Sequence, residues 1–147
     1  MSLSYMPFGK FILSKNERWR VTSLEEKLNK RQIGNCYEDR AVEYLAKNGY
    51  RIITRNFRAG RKGELDIIAR DKEGTLVICE CKYRTKTVCG DPLLAVDWKK
   101  QRQICKTTLF YYKYCGYGMD YPCRFDVIAL YGDGTIRHVE NAFEFVY

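Results

Sequence analysis

The sequence predicts an α/β fold in which helices flank a central mixed β-sheet. The first observation is helical apolar spacing with helix-boundary residues in two stretches, 35–48 and 91–114. The second is five short stretches rich in Leu, Ile, Val and aromatic residues, which have the composition of strands. The third is their order along the chain: a helix, three strands, a helix and two strands. This order indicates helices packed around one sheet.

The first helix is predicted to begin at Asn35, a residue type that caps helix N-termini, and to end before Gly49. Its apolar stripe contains Ala41 and Leu45. Glu38 stands where a capping box places its acid, but it also lies near this apolar stripe. The residues therefore leave two roles open for Glu38, a helix cap or a carboxylate that belongs to a functional site.

The second and third strands are predicted to form a hairpin. Asp71 and Gly74 have the residue types of the first and last positions of a type I turn, and Gly74 suits the left-handed conformation of a three-residue loop. In that loop Asp71 pairs with Thr75, which fixes the register of the two strands. The predicted strands are residues 50–57, 64–70, 75–83, 124–131 and 135–139.

This register brings four charged side chains to one face of the hairpin. Asp66 is opposite Glu80, and Glu64 is opposite Lys82. The Cβ atoms of directly opposite residues are about 5 Å apart, so Asp66 and Glu80 could reach one cation. A hard cation such as Mg²⁺ prefers carboxylate oxygens and can activate water for phosphodiester hydrolysis. The lysine could orient that water or neutralise charge that develops at phosphorus.

An ordinary explanation competes with a functional site. Glu64 and Lys82 could form a cross-strand salt bridge on a solvated face. However, the same face also carries Leu76 and Ile78, and Asp66 has no basic residue opposite it. Because carboxylates among apolar residues are costly unless they are paired or bind a metal, the residues favour a site.

Composition supports a nucleic-acid partner without specifying one. The chain has 147 residues, enough for one domain with its own core, and a formal net charge of +8 that favours a polyanion. Its seven cysteines include no Cys-x-x-Cys pair and it has one histidine, so we expect reduced thiols in a cytoplasmic protein rather than a zinc site. It has no apolar run of membrane-spanning length and no signal-peptide core near its start, so we expect no membrane partner.

Five cations flank the acidic face in the predicted arrangement, and Lys99 on the polar face of the second predicted helix is a further candidate. Their alternative role is a merely solvated surface. A tyrosine-rich stretch around residues 111–121 could stack on bases or pack in the core. Asp126 alternates with apolar neighbours and is read as structural, and His138 is given no role. The candidate nucleic-acid-binding residues are Arg58, Arg61, Lys62, Arg84, Lys86 and Lys99.

The motifs, taken together, resemble those of the YraN-like family of bacterial proteins. This family resembles in turn the restriction-endonuclease-like PD-(D/E)XK nucleases and the archaeal Holliday-junction resolvases. The resemblance runs from about residue 32 to residue 139, in order and spacing. The motifs that carry it are Glu38-Asp39-x-Ala41 with Tyr44-Leu45, Gly49-Tyr50, Asn56-Phe57-Arg58, Gly63-Glu64-Leu65-Asp66-Ile67-Ile68, Glu80-Cys81-Lys82-Tyr83-Arg84 and Arg124-Phe125-Asp126-Val127.

The resemblance implies a role for each residue of the acidic face. Asp66 and Glu80 match the metal-binding acids, and Lys82 matches the catalytic lysine of the acid-x-lysine pair. Glu38 corresponds to a helix-borne acid that resolvase-like members add to the metal site. Glu64 would be an accessory carboxylate, either near the metal ligands or as a partner of Lys82. The implied cofactor is Mg²⁺ or Mn²⁺.

The resemblance also implies a fold and an activity. Residues 33–147 are expected to form a restriction-endonuclease-like sandwich, and residues 1–32 an N-terminal extension of uncertain structure. The expected activity is that of a metal-dependent endonuclease acting on DNA, with branched, Holliday-junction-like DNA as a candidate substrate. A homodimer is expected by analogy, because a junction has two strands to cut symmetrically. The alternative is a catalytically silent nucleic-acid-binding protein.

Overall fold

The computed structural model describes residues 30–85 and 96–147. These residues form two helices and five strands in the predicted order. The elements are α1 (Lys30–Lys47), β1 (Arg51–Arg58), β2 (Glu64–Arg70), β3 (Leu76–Arg84), α2 (Trp98–Cys115), β4 (Cys123–Tyr131) and β5 (Ile136–Phe143). The last strand is longer than the short strand predicted from the sequence.

The five strands form one mixed sheet in the order β1-β2-β3-β4-β5. Only β3 and β4 are parallel, and the connection between them contains α2. The other neighbouring pairs are antiparallel. Ala41 and Leu45 of α1 pack on one face of the sheet, and Ile104 and Tyr111 of α2 pack on the other. The predicted α/β class, with a central mixed sheet between helices, is confirmed.

The hairpin between β2 and β3 has the predicted register. Ile67 pairs with Cys79, and the same register continues towards the turn. The carboxylate of Asp71 accepts the backbone N–H of Thr75 at 2.8 Å. Gly74 has a φ of 88°, in the left-handed region where glycine has no steric penalty. The turn chemistry therefore determines which side chains of the two strands face each other.

The predicted start of the first helix was wrong. Asn35 lies inside α1, which already includes the helix-forming residues Lys30, Arg31 and Gln32. It is therefore not the predicted cap. The cap of α2 is Asp97, whose carboxylate accepts the backbone N–H of Lys100 at 2.8 Å. The earlier start predicted at residues 91–92 lies outside the described residues.

The compact unit that contains the sheet is Gly34–Tyr147. The predicted division into residues 1–32 and 33–147 falls within α1, and it stays a prediction. Among the described residues, no helix is both long enough and apolar enough to cross a membrane. The six cysteines in this part of the chain are free thiols.

Most of the tyrosine-rich stretch belongs to the interior. Tyr111 and Tyr112 are buried against the α2 face of the sheet. Tyr117 and Tyr121 stack on each other with ring centroids 4.2 Å apart, and both bind the guanidinium of Arg70. These residues pack rather than offering a stacking surface. Tyr114, which belongs to the same stretch, is 79% exposed on α2.

Candidate functional site

The centre of the site is the carboxylate of Glu80 on β3. Side chains two residues apart on a strand share a face, so Glu80 and Lys82 continue the α2-facing row of Leu76 and Ile78. Glu80 is only 4% exposed. Its Oε1 accepts from the ammonium of Lys82 at 2.7 Å and from that of Lys100 on α2 at 3.0 Å. Two cations therefore hold one buried carboxylate.

Asp66 lies beside this centre on β2, where the pairing of β2 with β3 ends. The last ladder pair before it is Ile67 with Cys79. Beyond that pair, Oδ2 of Asp66 accepts the backbone N–H of Cys81 at 2.8 Å. The carboxylate thus takes the place of a ladder carbonyl, which satisfies a backbone donor of β3 and fixes the aspartate next to Glu80.

The chain is irregular at Asp66. Leu65 packs in the α2-side core and Ile67 in the α1-side core, so residues two apart face opposite layers. On β1 the residue opposite Asp66 is Asn56, which has a φ of 51° and is one of the few non-glycine residues in the left-handed region. This break in the side-chain alternation occurs where the carboxylate leaves the regular sheet.

The protonation of Asp66 is strongly affected by its surroundings. Burial and the nearby carboxylate of Glu80 raise the pKa of Asp66 to about 7. The N–H of Cys81 and the ammonium of Lys100 oppose this shift, and Glu38 adds to it. A carboxyl group that titrates near neutral pH is characteristic of functional sites, because it marks negative charge that the protein alone does not balance.

Glu38 on α1 lies beside Arg55 of β1. Its Oε2 is 3.7 Å from a guanidinium nitrogen of Arg55, and Asp39 binds the same guanidinium at 2.7 Å. The Oε2 atom is buried and accepts no hydrogen bond from the described residues. Across those residues, no group of three or more His, Cys, Asp and Glu side chains is close enough to hold a metal ion. The place of Glu38 in a three-carboxylate metal site therefore stays a prediction.

The predicted pair of Glu64 with Lys82 is wrong. Glu64 binds Arg58 instead, with 3.2 Å between Nε and Oε2. Arg58 and Glu64 are directly paired on β1 and β2. The irregularity at Asp66 explains the difference, because it interrupts the alternation on which the prediction rested. Glu64 is thus an exposed-rim residue that partly neutralises Arg58, while Lys82 is available to Glu80.

The residue that sequence reasoning missed is Lys100. Helix-borne Lys99 was named as a candidate, but its side chain is exposed and Lys100 contacts Glu80. The sequence did contain a signal. Lys100 precedes the buried residue Ile104 by four positions, and residues four apart lie on the same helix face. Lys99 precedes Ile104 by five positions, so it does not lie on that face.

The close approach of α2 to the site depends on Gly63. A Cβ atom at this position would lie 2.3 Å from the hydroxyl oxygen of Thr107 on α2, and the φ of 154° is also unfavourable for other residues. The glycine therefore lets the loop before β2 lie directly against the helix that carries Lys100.

Some of the predicted nucleic-acid-binding residues line a cavity beside Lys100, and the others that the structure describes do not. An open cavity of about 360 Å³ lies beside Lys100. Arg84 is half-buried at the end of β3, Lys99 is exposed on α2, and Lys86 lies outside the described residues. The residues that line the cavity are Arg58, Gly60, Arg61, Gly63, Glu64, Lys100 and Gln103. Lys62, on the same loop, places its ammonium over the ring of Phe110.

A second buried carboxylate, Asp126 on β4, has a different environment. It is completely buried and accepts hydrogen bonds from Arg124, from His138 and from the backbone N–H of Asn141. Arg124 also contacts Asp71 at 3.2 Å. The structural role read from the sequence for Asp126 agrees with this network, and His138 is part of it.

The fold and this geometry define a class: an α/β protein whose mixed sheet carries a half-buried aspartate beside a buried glutamate that two lysines contact. Comparison with known proteins specifies the family. Residues 37–130 match the model of the "Uncharacterised protein family UPF0102". A UPF0102 protein of Trichlorobacter lovleyi is 44% identical over 121 residues, covering 78% of this chain and 92% of that protein. One of Geobacter sulfurreducens is 49% identical over 114 residues, covering 75% and 87%.

The chain belongs to the UPF0102 family, which is the YraN-like family expected from its motifs. Two solved structures show weaker similarity. "Crystal structure of SSO0001" has a TM-score of 0.41 and 13% identity, covering 86% of this chain and 59% of the other. "Structure of EndoMS-dsDNA2 complex" has a TM-score of 0.36 and 19% identity, covering 64% and 34%. The chain thus spans less than two thirds of either solved chain.

Proposed function

We propose that this protein is a metal-dependent endonuclease that hydrolyses phosphodiester bonds in DNA, with branched DNA as a candidate substrate. One observation carries the proposal. Glu80 is buried and the neighbouring Asp66 is half-buried, and the proximity of their carboxylates helps to raise the pKa of Asp66 to about 7. Two like charges are held together with little access to water, as in sites that gain a cation when they function.

The side chains present fit a hard divalent cation such as Mg²⁺ or Mn²⁺. Asp66 and Glu80 would hold it through carboxylate oxygens, the ligand type that these ions prefer. Glu38 would contribute through its Oε2, which accepts no hydrogen bond from the described residues. When bound, such a cation lowers the pKa of a water molecule and stabilises negative charge on phosphate oxygens.

The two lysines have separate tasks in this proposal. Lys82 is anchored 2.7 Å from Glu80 and remains partly exposed, so its ammonium can orient the attacking water or stabilise charge on the phosphate. Lys100 approaches the same oxygen of Glu80 at 3.0 Å from the helix side. We infer that it holds the Glu80 carboxylate in position from the helix side.

Nucleic acid is the proposed partner because cations surround the acidic centre. Arg58 ends β1, the loop before β2 carries Arg61 and Lys62, and the net charge of the chain is +8. Phosphates that contact such residues release counterions, which supplies affinity without sequence preference. Lys86, Lys99 and Arg84 extend the predicted surface. A homodimer and a cytoplasmic location stay predictions.

Cleavage assays test the activity. Linear, nicked, flap and four-way DNA are incubated with the protein in Mg²⁺ or Mn²⁺, and products are separated on denaturing gels. The wild type is expected to cut at least one of these substrates, and Glu80→Ala and Lys82→Ala each lower the rate at least about a hundredfold. Matched controls are Glu73→Ala and Lys72→Ala, which change exposed charges on the hairpin turn.

Two further outcomes separate the alternatives. Wild-type protein that binds DNA in a salt-sensitive way, but cuts none of the four substrates with any divalent ion, is the catalytically silent nucleic-acid-binding protein. Titration calorimetry with Mn²⁺ is expected to give heat of binding for the wild type and none for Asp66→Ala combined with Glu80→Ala. Equal heats for both proteins would contradict the metal site.

A further inference from the structure

The outward face of α2 carries a row of aromatic and basic side chains that the proposed active site does not use. Trp98, Arg102, Lys106 and Phe110 follow one another at intervals of four residues, so they form one line along the helix. Trp98 is 57% exposed and Phe110 is 38% exposed. The two rings are separated by twelve residues, or about 18 Å of helix.

Cations accompany both rings. The guanidinium of Arg102 lies 5.3 Å from the ring centre of Trp98. The ammonium of Lys62 lies 4.1 Å from the ring centre of Phe110. These cation–π contacts hold long, mobile side chains beside the rings, so positive charge and apolar faces occur together along the row.

The row borders a continuous groove, called here the α2 groove. Two cavities of about 660 Å³ and about 410 Å³ lie next to each other and share Lys62 and Lys106 as lining residues. None of the described lining residues is acidic. The cations that line the groove are Lys62, Lys99, Arg102, Lys106 and Lys113.

The α2 groove leads to the candidate active site. Gln103 lines both the groove and the cavity beside Lys100. Lys100 is in turn bonded to Glu80. A chain lying in the groove would therefore have one end at the acidic centre.

Charge and shape select one occupant. A second copy of this chain, related by a twofold axis at the groove, would bring the same five cations against each other. Unpaired nucleic acid supplies phosphates for the cations and base faces for the rings. In a duplex the bases are already stacked inside, so only a single strand can use Trp98 and Phe110 in this way.

We propose that the α2 groove binds single-stranded nucleic acid and guides it to the site between Asp66 and Glu80. The route to the site rests on the proposed nuclease function, whereas the binding does not. At the rise of about 3.4 Å per nucleotide in stacked DNA, the distance between the rings corresponds to about five nucleotides. The groove thereby favours substrates with an unpaired segment over uniform duplex.

Fluorescence anisotropy with a labelled 12-nucleotide oligo(dT), in EDTA to prevent cleavage, tests the binding. Wild-type protein is expected to bind the single strand at least about tenfold more tightly than a duplex of equal length. Trp98→Ala and Phe110→Ala each weaken single-strand binding about tenfold. Lys106→Gln lowers the slope of log affinity against log salt by about 0.7, as expected for one lost phosphate contact.

Controls distinguish the groove from general effects. Tyr147→Ala removes an aromatic side chain that is 85% exposed and does not line the groove, and Arg51→Gln removes an exposed cation on β1. Both are expected to bind like the wild type. Equal affinity for single strand and duplex, unchanged binding in Trp98→Ala, or binding to phosphatidylserine vesicles without binding to oligo(dT) would each overturn the proposal.

The outcome is separable from that of the nuclease proposal. Groove-dependent binding by a protein that cuts no substrate supports the groove and contradicts the nuclease. Cleavage that needs Glu80 but is indifferent to Trp98 and Phe110, on substrates with single-stranded arms, supports the nuclease and contradicts the groove.

Discussion

Asp126 on β4 is completely buried and Asp66 on β2 is half-buried in the same sheet, and their surroundings differ in charge balance. Asp126 has Arg124 at 2.9 Å and His138 at 2.8 Å. Asp66 has one backbone N–H donor and, as its strongest charged neighbour, another carboxylate. The charge of Asp126 is therefore balanced by groups of its own chain. Near Asp66, the two lysines pair with Glu80, and among the described residues none forms an ion pair with Asp66 itself.

The pKa values follow this difference. Burial acts to raise the pKa of Asp126, but the hydrogen bonds from His138 and Arg124 outweigh it, and the pKa lies below its ordinary value. Burial and Glu80 raise the pKa of Asp66 to about 7. A buried carboxylate by itself therefore does not identify a functional site. The distinguishing property is whether the protein balances the charge that it has buried.

The largest expected effect is a loss of stability when Asp126 is replaced. Asp126→Ala removes the acceptor of both Arg124 and His138 and leaves a largely buried guanidinium with fewer partners. Loss of one member of such a buried network costs about 3–5 kcal/mol. Urea unfolding monitored by circular dichroism is expected to show a loss of this size at neutral pH.

The pH dependence of the same unfolding experiment tests whether the loss of stability in Asp126→Ala comes from lost ion pairing. Because the folded protein lowers the pKa of Asp126, the stabilising contribution is complete above the ordinary value of 3.8 and is lost as the pH falls through the lowered pKa. The wild type and Asp126→Ala should therefore converge in acid. A difference that stays constant down to pH 2 would indicate lost packing rather than lost ion pairing.

At Asp66 the expected dependence of folding stability on pH has the opposite sign. The folded protein raises the pKa of Asp66 from 3.8 to about 7, so across this range the folded state retains a proton that the unfolded state has released. Stability consequently falls as the pH rises towards 7. Asp66→Asn keeps an acceptor for the N–H of Cys81 and removes the charge, so we expect it to be more stable than the wild type by about 2 kcal/mol at pH 8.

This gain is expected only without divalent ions. Mn²⁺ that binds the folded wild type stabilises it in proportion to the logarithm of its concentration, whereas Asp66→Asn has lost a ligand. Thermal unfolding in EDTA and in a series of Mn²⁺ concentrations measures both effects. If the wild type is the more stable protein in EDTA at pH 8, the unbalanced charge inferred at Asp66 is absent.

The part of the fold that could be predicted is the part set by local chemistry. Asp71 and Gly74 determine a turn whose geometry follows from residue type, and from it the register of β2 and β3 could be counted correctly to Ile67 and Cys79. Helix ends were harder to predict. Several residue types can cap a helix, and the cap observed for α2 is Asp97.

The site was predictable where alternation holds and unpredictable where it breaks. Glu80 and Lys82 share a face because β3 is regular. The partner of Glu64 could not be predicted, because the left-handed Asn56 and the break at Asp66 are not visible in residue types. The choice of Lys100 over Lys99 was available from the sequence, because Lys100 precedes the apolar residue Ile104 by four positions.

The next smaller effect concerns Lys100. Its ammonium contacts Glu80 at 3.0 Å and lowers the pKa of Asp66. Replacing it by methionine removes a positive charge but keeps most of the apolar stem, so the acidic centre becomes more negative. We expect Lys100→Met to bind Mn²⁺ about tenfold more tightly in titration calorimetry, equivalent to about 1.4 kcal/mol. Lys99→Met, one residue away and exposed, should bind Mn²⁺ like the wild type.

The smallest expected effect is at the pair of Arg58 and Glu64, which lies near Asp66 but is solvated. The Arg58 side chain is 63% exposed and that of Glu64 is 35% exposed, so water screens their contact. Glu64→Gln is expected to change the free energy of unfolding by less than about 0.5 kcal/mol. It also releases Arg58 for phosphate, so DNA binding in EDTA should strengthen slightly. A loss of several kcal/mol in the same unfolding assay would mean that Glu64 is part of the acidic centre rather than of its solvated edge.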